Sequence, residues 1–168
     1  MHKIIILRGN GGCGKTTASQ MLQQALGRGT LLIPQDTVRR EMMWVKDRPD
    51  NASVALMKQI VDFGHQHCTY TIVEGIFYSD YYQDLFDYIV KLYDQQIYAY
   101  YFACPFDVAF ERQRNRPLHN KYTIEKMREK WRDNDYLPNI KETVLDTSAL
   151  SADEIVAKIL AEIGIKKA

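Results

Sequence analysis

The feature that most constrains this chain is an eight-residue segment near its N-terminus. Gly9 to Thr16 reads G-N-G-G-C-G-K-T and follows the aliphatic run Ile4–Leu7. The glycines let the backbone turn back so that its N–H groups point inward, where β-carbons would block phosphate oxygens. Lys15 would then reach the β- and γ-phosphates of a nucleoside triphosphate, and the Thr16 hydroxyl would bind Mg²⁺. The pattern predicts a P-loop between a strand and a helix.

We expect the whole loop to contact the nucleotide, because the first turn of the helix that follows points its positive end at the phosphates. The alternative is a glycine-rich turn before a helix, with no ligand. The side chain of Cys13 is expected to pack rather than to act as a nucleophile. The predicted nucleotide-binding residues of this segment are Gly9, Asn10, Gly11, Gly12, Cys13, Gly14, Lys15, Thr16 and Thr17.

Length and charge restrict the class of protein. The 168 residues predict a single domain, 1–168, and the net charge of +1 makes nucleic acid an unlikely partner by bulk attraction. No apolar run approaches the ~20 residues of a membrane span, so we expect no membrane partner. The N-terminus enters a strand at once and the three cysteines form no C-x-x-C pair, which favours a cytoplasmic protein with reduced thiols. The sequence does not predict an oligomeric state.

Apolar, strand-length runs alternate with amphipathic stretches along the chain. This alternation predicts an α/β fold with a parallel sheet covered on both faces. The predicted strands are Lys3–Leu7, Thr30–Pro34, Tyr70–Glu74, Gln96–Phe102 and Thr143–Leu145. The predicted helices are Lys15–Leu26, Thr37–Trp44, Ser53–His67, Asp80–Tyr93, Asp107–Arg116, Thr123–Asn134 and Ala152–Ile163.

Carboxylates follow several of these strands, and ligands of open parallel sheets bind at the carboxyl ends of the strands. Asp36 follows the second strand and Glu74 ends the third. Either carboxylate could lie near the phosphates and assist Thr16 in binding Mg²⁺. Asp36 could instead cap the helix that begins at Thr37. A buried Glu74 needs a partner, which could also be an arginine in place of a metal-bound water or a substrate hydroxyl.

Several motifs distinguish between classes of P-loop proteins. The N-K-x-D loop of GTP-binding switch proteins is missing, since Asn120-Lys121 is followed by Tyr122-Thr123. Asp36 to Arg39 forms a D-x-x-R motif, the third strand ends in Glu-Gly, and Arg112 to Pro117 reads R-Q-R-N-R-P. With these motifs the chain resembles small-molecule P-loop kinases of the adenylate-kinase-like, AAA_33 type, such as the chloramphenicol phosphotransferase, zeta toxin and gluconate kinase families.

The resemblance implies a fold and further site residues. The fold is a three-layer α/β/α P-loop NTPase fold with a five-stranded parallel sheet in the order 2-3-1-4-5 and a small arginine-rich lid at about residues 112–135. In such kinases the aspartate that matches Asp36 faces the acceptor hydroxyl. Arg112 and Arg116 correspond to lid arginines at the transferring phosphate, although they could also be a solvated helix face. Thr147 corresponds to the adenine-side loop, so Arg112 and Thr147 join the nucleotide-binding residues.

The roles of the candidate site residues follow from this chemistry. Lys15, Asp36, Arg112 and Arg116 are predicted to be catalytic, and Asp36, Arg39 and Glu74 to bind the substrate. Thr16 and Glu74 are predicted to hold the metal. Arg39 could equally be solvated, and the sequence leaves open whether Glu74 or Asp36 is nearer the metal and which lid arginine contacts the phosphate.

The predicted function is an ATP-dependent kinase that uses Mg²⁺ and transfers the γ-phosphoryl group of ATP to a hydroxyl of a small molecule. A nucleoside or nucleotide kinase is the nearest alternative, because Tyr78, Tyr81 and Tyr82 could form a base-stacking pocket. A nucleotide-binding regulatory or toxin-like protein is another. A polynucleotide end kinase is disfavoured by the near-neutral charge. The acceptor itself is not predicted.

Overall fold

Five parallel strands organise the chain in a computed structural model, which describes residues 2–115 and 123–165. Their order in the sheet is β2-β3-β1-β4-β5, and every neighbouring pair is parallel. This confirms the predicted fold class and strand order. The strands are β1 Lys3–Arg8, β2 Leu31–Pro34, β3 Tyr70–Gly75, β4 Ile97–Ala103 and β5 Glu142–Asp146.

Helices cover both faces of the sheet. Because successive side chains of a strand point to opposite faces, β1 contributes Ile4 and Ile6 to one core and Ile5 and Leu7 to the other. The first core is closed by α2 and α3, and the second by α1 and α6. The helices are α1 Lys15–Leu26, α2 Ser53–His67, α3 Gln83–Tyr93, α4 Phe106–Arg114, α5 Ile124–Lys130 and α6 Ala152–Glu162.

The helix predicted to begin at Thr37 is a π-helix, Thr37–Met42, which lies between β2 and α2. Its C-terminal cap shows the wider turn, since the Met43 N–H donates to the carbonyl of Val38 at 3.1 Å. Short π-helical segments occur frequently at functional sites. This one directly follows the edge of the sheet where the P-loop lies.

Two predicted helices extend three or four residues beyond the observed ones. The helix predicted from Asp80 begins at Gln83, because the hydroxyl of Ser79 donates to Asp135 Oδ1 at 2.6 Å and its N–H to Oδ2 at 2.9 Å. The helix predicted to reach Asn134 ends at Lys130, where Trp131 turns into an extended conformation. Both changes come from the packing of the chain after α5 against the chain after β3. None of the helices within the described ranges is long and apolar enough to cross a membrane.

Candidate active site

The carboxyl edge of the sheet opens into a cleft of about 810 Å³. The P-loop lines one side of it, and the π-helix and the ends of β2 and β3 line another. The chain around the end of α5 forms a third side. Predicted site residues that line the cleft are Asn10, Gly11, Gly12, Gly14, Lys15, Thr16, Asp36, Arg39 and Glu74.

The backbone of the P-loop is packed on one side and open on the other. A β-carbon on Gly12, at φ +81°, would lie 2.5 Å from the carbonyl oxygen of Ala109 in α4. A β-carbon on Gly14, at φ +89°, would meet no atom within 4 Å, and Gly14 lies at the N-terminal cap of α1. The loop therefore rests on α4 and leaves a cradle before the helix N-terminus, a geometry that suits phosphate oxygens.

The ammonium group of Lys15 lies within the loop. Lys15 is buried, and its Nζ donates to the carbonyl oxygen of Asn10 at 2.7 Å. A buried cation at the positive end of a helix makes the loop a strong anion site.

Thr16 and Glu74, the two predicted metal ligands, lie together. The Thr16 hydroxyl donates to Glu74 Oε1 at 3.2 Å, and Glu74 is buried at the carboxyl end of β3. A hydroxyl and a carboxylate oxygen are suitable ligands for Mg²⁺, which usually binds one or two protein groups together with phosphate and water. Among the described residues no group of three or more His, Cys, Asp or Glu side chains could hold a metal ion. These residues therefore fit Mg²⁺ that is shared with a nucleotide.

Asp36 does not cap the helix that follows it. Its backbone is helical and its side chain makes no capping hydrogen bond, so the capping role considered from the sequence is wrong. The carboxylate, 63% exposed, accepts from Arg39 Nη2 at 3.0 Å and lies 3.6 Å from Arg40 Nε. Asp36 is thus an accessible carboxylate on the wall of the cleft, oriented by neighbouring guanidinium groups.

Arg39 is a buried residue that lines the cleft. Besides Asp36, its guanidinium donates to the carbonyl of Val45 at 3.1 Å. The Nε of Arg39 finds no hydrogen-bond partner among the described residues. The alternative that Arg39 lies on a solvated helix face is therefore wrong. Buried donors of this kind usually bond to a ligand or a water.

Arg112 and Thr147 also lie together. Arg112 Nη2 donates to the carbonyl of Thr147 at 2.5 Å, and Nη1 donates to its hydroxyl at 3.3 Å. The Thr147 N–H in turn donates to the carbonyl of Ala103 at the end of β4. Arg112 is therefore fixed against the loop after β5. Arg116, the other predicted catalytic arginine, lies outside the described residues.

Arg132 is a residue of the cleft that sequence reasoning missed. Its guanidinium lies 4.0 Å from the ring centroid of Tyr78 and 5.0 Å from that of Tyr81, and it pairs with Asp80. Burial raises the pKa of Tyr78 to about 12, so this phenol stays neutral and donates to the carbonyl of Lys130. Contacts with residues 51 to 54 positions earlier in the chain leave no local pattern in the sequence.

A second missed residue is Arg8, the last residue of β1. Arg8 is fully buried and donates from Nη1 to both carboxylate oxygens of Glu142 at 2.9 Å. Its Nη2 donates to the carbonyl oxygens of Phe77 and Asp135. The sequence signal for Arg8 was a charged residue at the end of an apolar strand. Arg8 therefore joins the end of β1 to β5, to the chain after β3 and to the chain after α5.

Comparison with known families agrees with this geometry. The AAA_33 family, described as AAA domain, matches residues 4–135, which include the P-loop, Asp36 and Glu74. The chain belongs to the AAA_33 family. The family resemblance predicted from the motifs is thereby confirmed. No curated protein matches the sequence.

Solved structures similar to this AAA_33 chain share its fold over nearly the whole length. A putative kinase from Chloroflexus aurantiacus has a TM-score of 0.70 at 20% identity, covering 95% of this chain and 97% of that one. The APS kinase of Mycobacterium tuberculosis, in complex with AMPPNP and APS, has 0.69 at 15% identity, covering 95% and 96%. The tunicamycin resistance protein of Deinococcus radiodurans has 0.68 at 17%, covering 99% and 98%.

Proposed function

We propose that this AAA_33 protein is an ATP-dependent kinase that transfers the γ-phosphoryl group of ATP to a hydroxyl of a small molecule. The observation that carries the proposal is the hydrogen bond between Thr16 and Glu74, 3.2 Å long, beside the P-loop and in the same cleft as Asp36. A phosphate cradle, an oxygen pair suited to Mg²⁺ and an accessible carboxylate are the parts that phosphoryl transfer needs.

The nucleotide would bind with its phosphates in the P-loop and its base toward Thr147. Gly14 leaves the cradle open where Gly12 packs the loop on α4, and Lys15 contributes the cation. Bound Mg²⁺ supplies charge neutralisation at the phosphates. In this chain the Thr16 hydroxyl and the Glu74 carboxylate would hold that ion. The kinase fold of the structural relatives supports the same use of the cleft.

The acceptor would bind next to the π-helix. Asp36 accepts the proton of the attacking hydroxyl in this proposal, and its pairing with Arg39 orients the carboxylate. Buried Arg39 carries a donor, its Nε, without a hydrogen-bond partner among the described residues. An oxygen-rich acceptor would satisfy this donor, which favours polar, hydroxylated molecules over apolar ones.

The arginines would stabilise charge on the transferring phosphoryl group. Arg112 keeps its predicted role as a nucleotide-side catalytic residue, because guanidinium groups bind spread phosphate charge well. Arg116 is proposed on its sequence position alone. Arg132 lines the cleft, and we add it as a third candidate.

A nucleoside or nucleotide kinase is the second candidate. Tyr78 and Tyr81 lie in the cleft with ring centroids 5.2 Å apart and could hold a base. However, the guanidinium of Arg132 covers both rings at 4.0 and 5.0 Å, so a base would have to displace it. This contact favours a non-aromatic acceptor. A nucleotide-dependent regulatory or toxin-like protein would show ATP binding with no small-molecule transfer.

An ATP-consumption screen with Mg²⁺ tests the proposal. The panel contains antibiotics including tunicamycin, sugars, nucleosides and 5′-hydroxyl oligonucleotides, with mass spectrometry of every compound that accelerates ADP formation. We expect a compound that gains one phosphoryl group. ATP binding with acceptor-independent hydrolysis across the panel would favour the regulatory alternative, and a phosphorylated oligonucleotide would contradict a small-molecule acceptor.

A further inference from the structure

Two cysteines meet beneath the P-loop. The Sγ atoms of Cys13 and Cys104 lie 3.0 Å apart, although the residues are 91 positions apart in the sequence. Cys13 lies between Gly12 and Gly14 and is 1% exposed, and Cys104 is half-buried directly after β4. Both are free thiols. A small displacement of the two sulfur atoms would join the loop to the sheet.

Cys104 is the thiol that solvent can reach. It lines a second, more open cavity of about 340 Å³, together with Phe106, Arg128 and Trp131. A small oxidant can therefore approach Cys104 without entering the nucleotide cleft. Cys13 is 1% exposed, and its side chain belongs to the second core of the sheet.

The surroundings make the two thiols chemically different. The hydrogen bond with Cys13, a bond with Thr147, and the positive charges of Arg112 and Lys15 lower the pKa of Cys104 to about 7, against the effect of burial. The hydrogen bond with Cys104 and burial raise the pKa of Cys13. An accessible thiol of lowered pKa beside a second thiol is the arrangement of a reactive cysteine with its resolving partner.

We propose that Cys13 and Cys104 form an oxidation site, at which a peroxide converts the two thiols into a disulfide that tethers the P-loop and reversibly weakens nucleotide binding. The effect on binding rests on the proposed function of the P-loop. The disulfide itself does not depend on it.

The reaction needs one equivalent of peroxide. The Cys104 thiolate attacks a peroxide oxygen, the O–O bond breaks, and Cys104 becomes a sulfenic acid while hydroxide leaves. Cys13 then attacks the Cys104 sulfur, the S–O bond breaks, and water leaves as the S–S bond forms. In sum two thiols lose two hydrogen atoms and hydrogen peroxide becomes two molecules of water. A thiol reductant reverses the change.

The disulfide would change the shape of the phosphate-binding loop directly. An S–S bond is about 2.05 Å long, so the sulfur atoms must approach by about 1 Å from their present 3.0 Å. Cys13 lies between two glycines at positive φ, which allow the loop backbone to follow its side chain. The backbone N–H groups of the P-loop, which would surround bound phosphates, would move with Cys13.

The first experiment detects the bond. The full-length protein is treated with hydrogen peroxide, and its peptides are mapped by mass spectrometry without reduction. We expect a cross-linked pair of peptides that contain Cys13 and Cys104, and no such product in Cys104→Ser. Cys68→Ser is the matched control and should form the cross-link like the wild type, because Cys68 is a third free cysteine at the C-terminal end of α2, outside the pair. Oxidation of Cys104 to sulfinic acid without a cross-link would overturn the proposal.

The second experiment measures MgATP affinity by calorimetry before oxidation, after oxidation and after reduction. We expect affinity to fall by at least about tenfold on oxidation and to recover on reduction, in the wild type and in Cys68→Ser. Oxidised Cys104→Ser should keep the affinity of its own unoxidised form. A cross-linked protein that binds MgATP as tightly as the reduced one would overturn the regulatory part. Failure of the reduced wild type to bind MgATP would instead refute the proposed function of the P-loop.

Discussion

Asn10 of the P-loop and Arg132 bind each other through two hydrogen bonds. The side-chain amide of Asn10 donates to the carbonyl of Arg132 at 2.7 Å, and its Oδ1 accepts from the Arg132 N–H at 3.1 Å. The same Asn10 accepts from Lys15 through its own carbonyl. The phosphate loop is therefore connected directly to the chain after α5, which carries the guanidinium that covers Tyr78 and Tyr81.

Asn10→Ala should destabilise the protein. Each lost hydrogen bond contributes about 0.5–1.5 kcal/mol, so we expect the free energy of unfolding in urea to fall by about 1–3 kcal/mol. Asn139→Ala is the control, since Asn139 is exposed and its side chain donates to Asp87 at 2.9 Å on the surface. Equal effects of the two substitutions would show that the contact with Arg132 contributes no more than a surface contact.

Lys15→Ala should weaken MgATP binding by about tenfold or more, because it removes a charge-assisted bond to the phosphates. Turnover should be lost while the melting temperature changes little. Calorimetry with Mg²⁺ measures the affinity, and Lys91→Ala, an exposed lysine of α3, is the control. Wild-type affinity in Lys15→Ala would contradict the assignment of Gly9 to Thr16 as a phosphate-binding loop.

The metal site can be tested at Thr16. Thr16→Val keeps the shape of the side chain but removes the hydroxyl that bonds to Glu74, whereas Thr16→Ser keeps the hydroxyl. We expect the Mg²⁺ concentration for half-maximal activity to rise by about tenfold or more in the valine variant and to stay near normal in the serine variant. A magnesium titration that is the same in all three proteins would remove Thr16 from the metal site.

Arg8→Met should be among the most destabilising single changes. The Glu142 side chain is 1% exposed, and it would keep a buried charge without its guanidinium partner, which costs about 3–5 kcal/mol. Arg114→Met breaks an exposed pair with Glu111 and should change stability by no more than about 1 kcal/mol. Urea unfolding compares the two variants. Similar losses would mean that the Arg8 pair contributes no more than a surface ion pair.

Most of the fold could be predicted from the sequence because the patterns that specify strands, helices and turns are local. Apolar runs that are bounded by glycines identify the strands, and the P-loop indicates which strand is central. Asp36, Arg39, Thr16 and Glu74 were placed correctly in one cleft because the carboxyl ends of parallel strands meet at one edge. Their roles in catalysis stay predictions.

What the sequence could not predict depends on contacts between distant residues. Arg8 bonds to Glu142 across 134 positions, and Asn10 bonds to Arg132 across 122. The pairing of Cys13 with Cys104 spans 91 positions and follows from the packing of the P-loop against the end of β4 and the start of α4. The π-helix after Asp36 was missed since its apolar residues also fit an α-helix.

The most direct test of the account compares Asp36→Asn with the wild type for both MgATP binding and phosphotransfer to the acceptor found in the screen. Asparagine keeps the size of the side chain but cannot take a proton, and a general-base loss costs about 10²–10⁴-fold in rate. Asp84→Asn, which alters an exposed carboxylate paired with Lys58, is the control and should behave as the wild type. We predict unchanged MgATP affinity in Asp36→Asn, with phosphotransfer reduced by that factor. Near-normal phosphotransfer in Asp36→Asn would contradict the account.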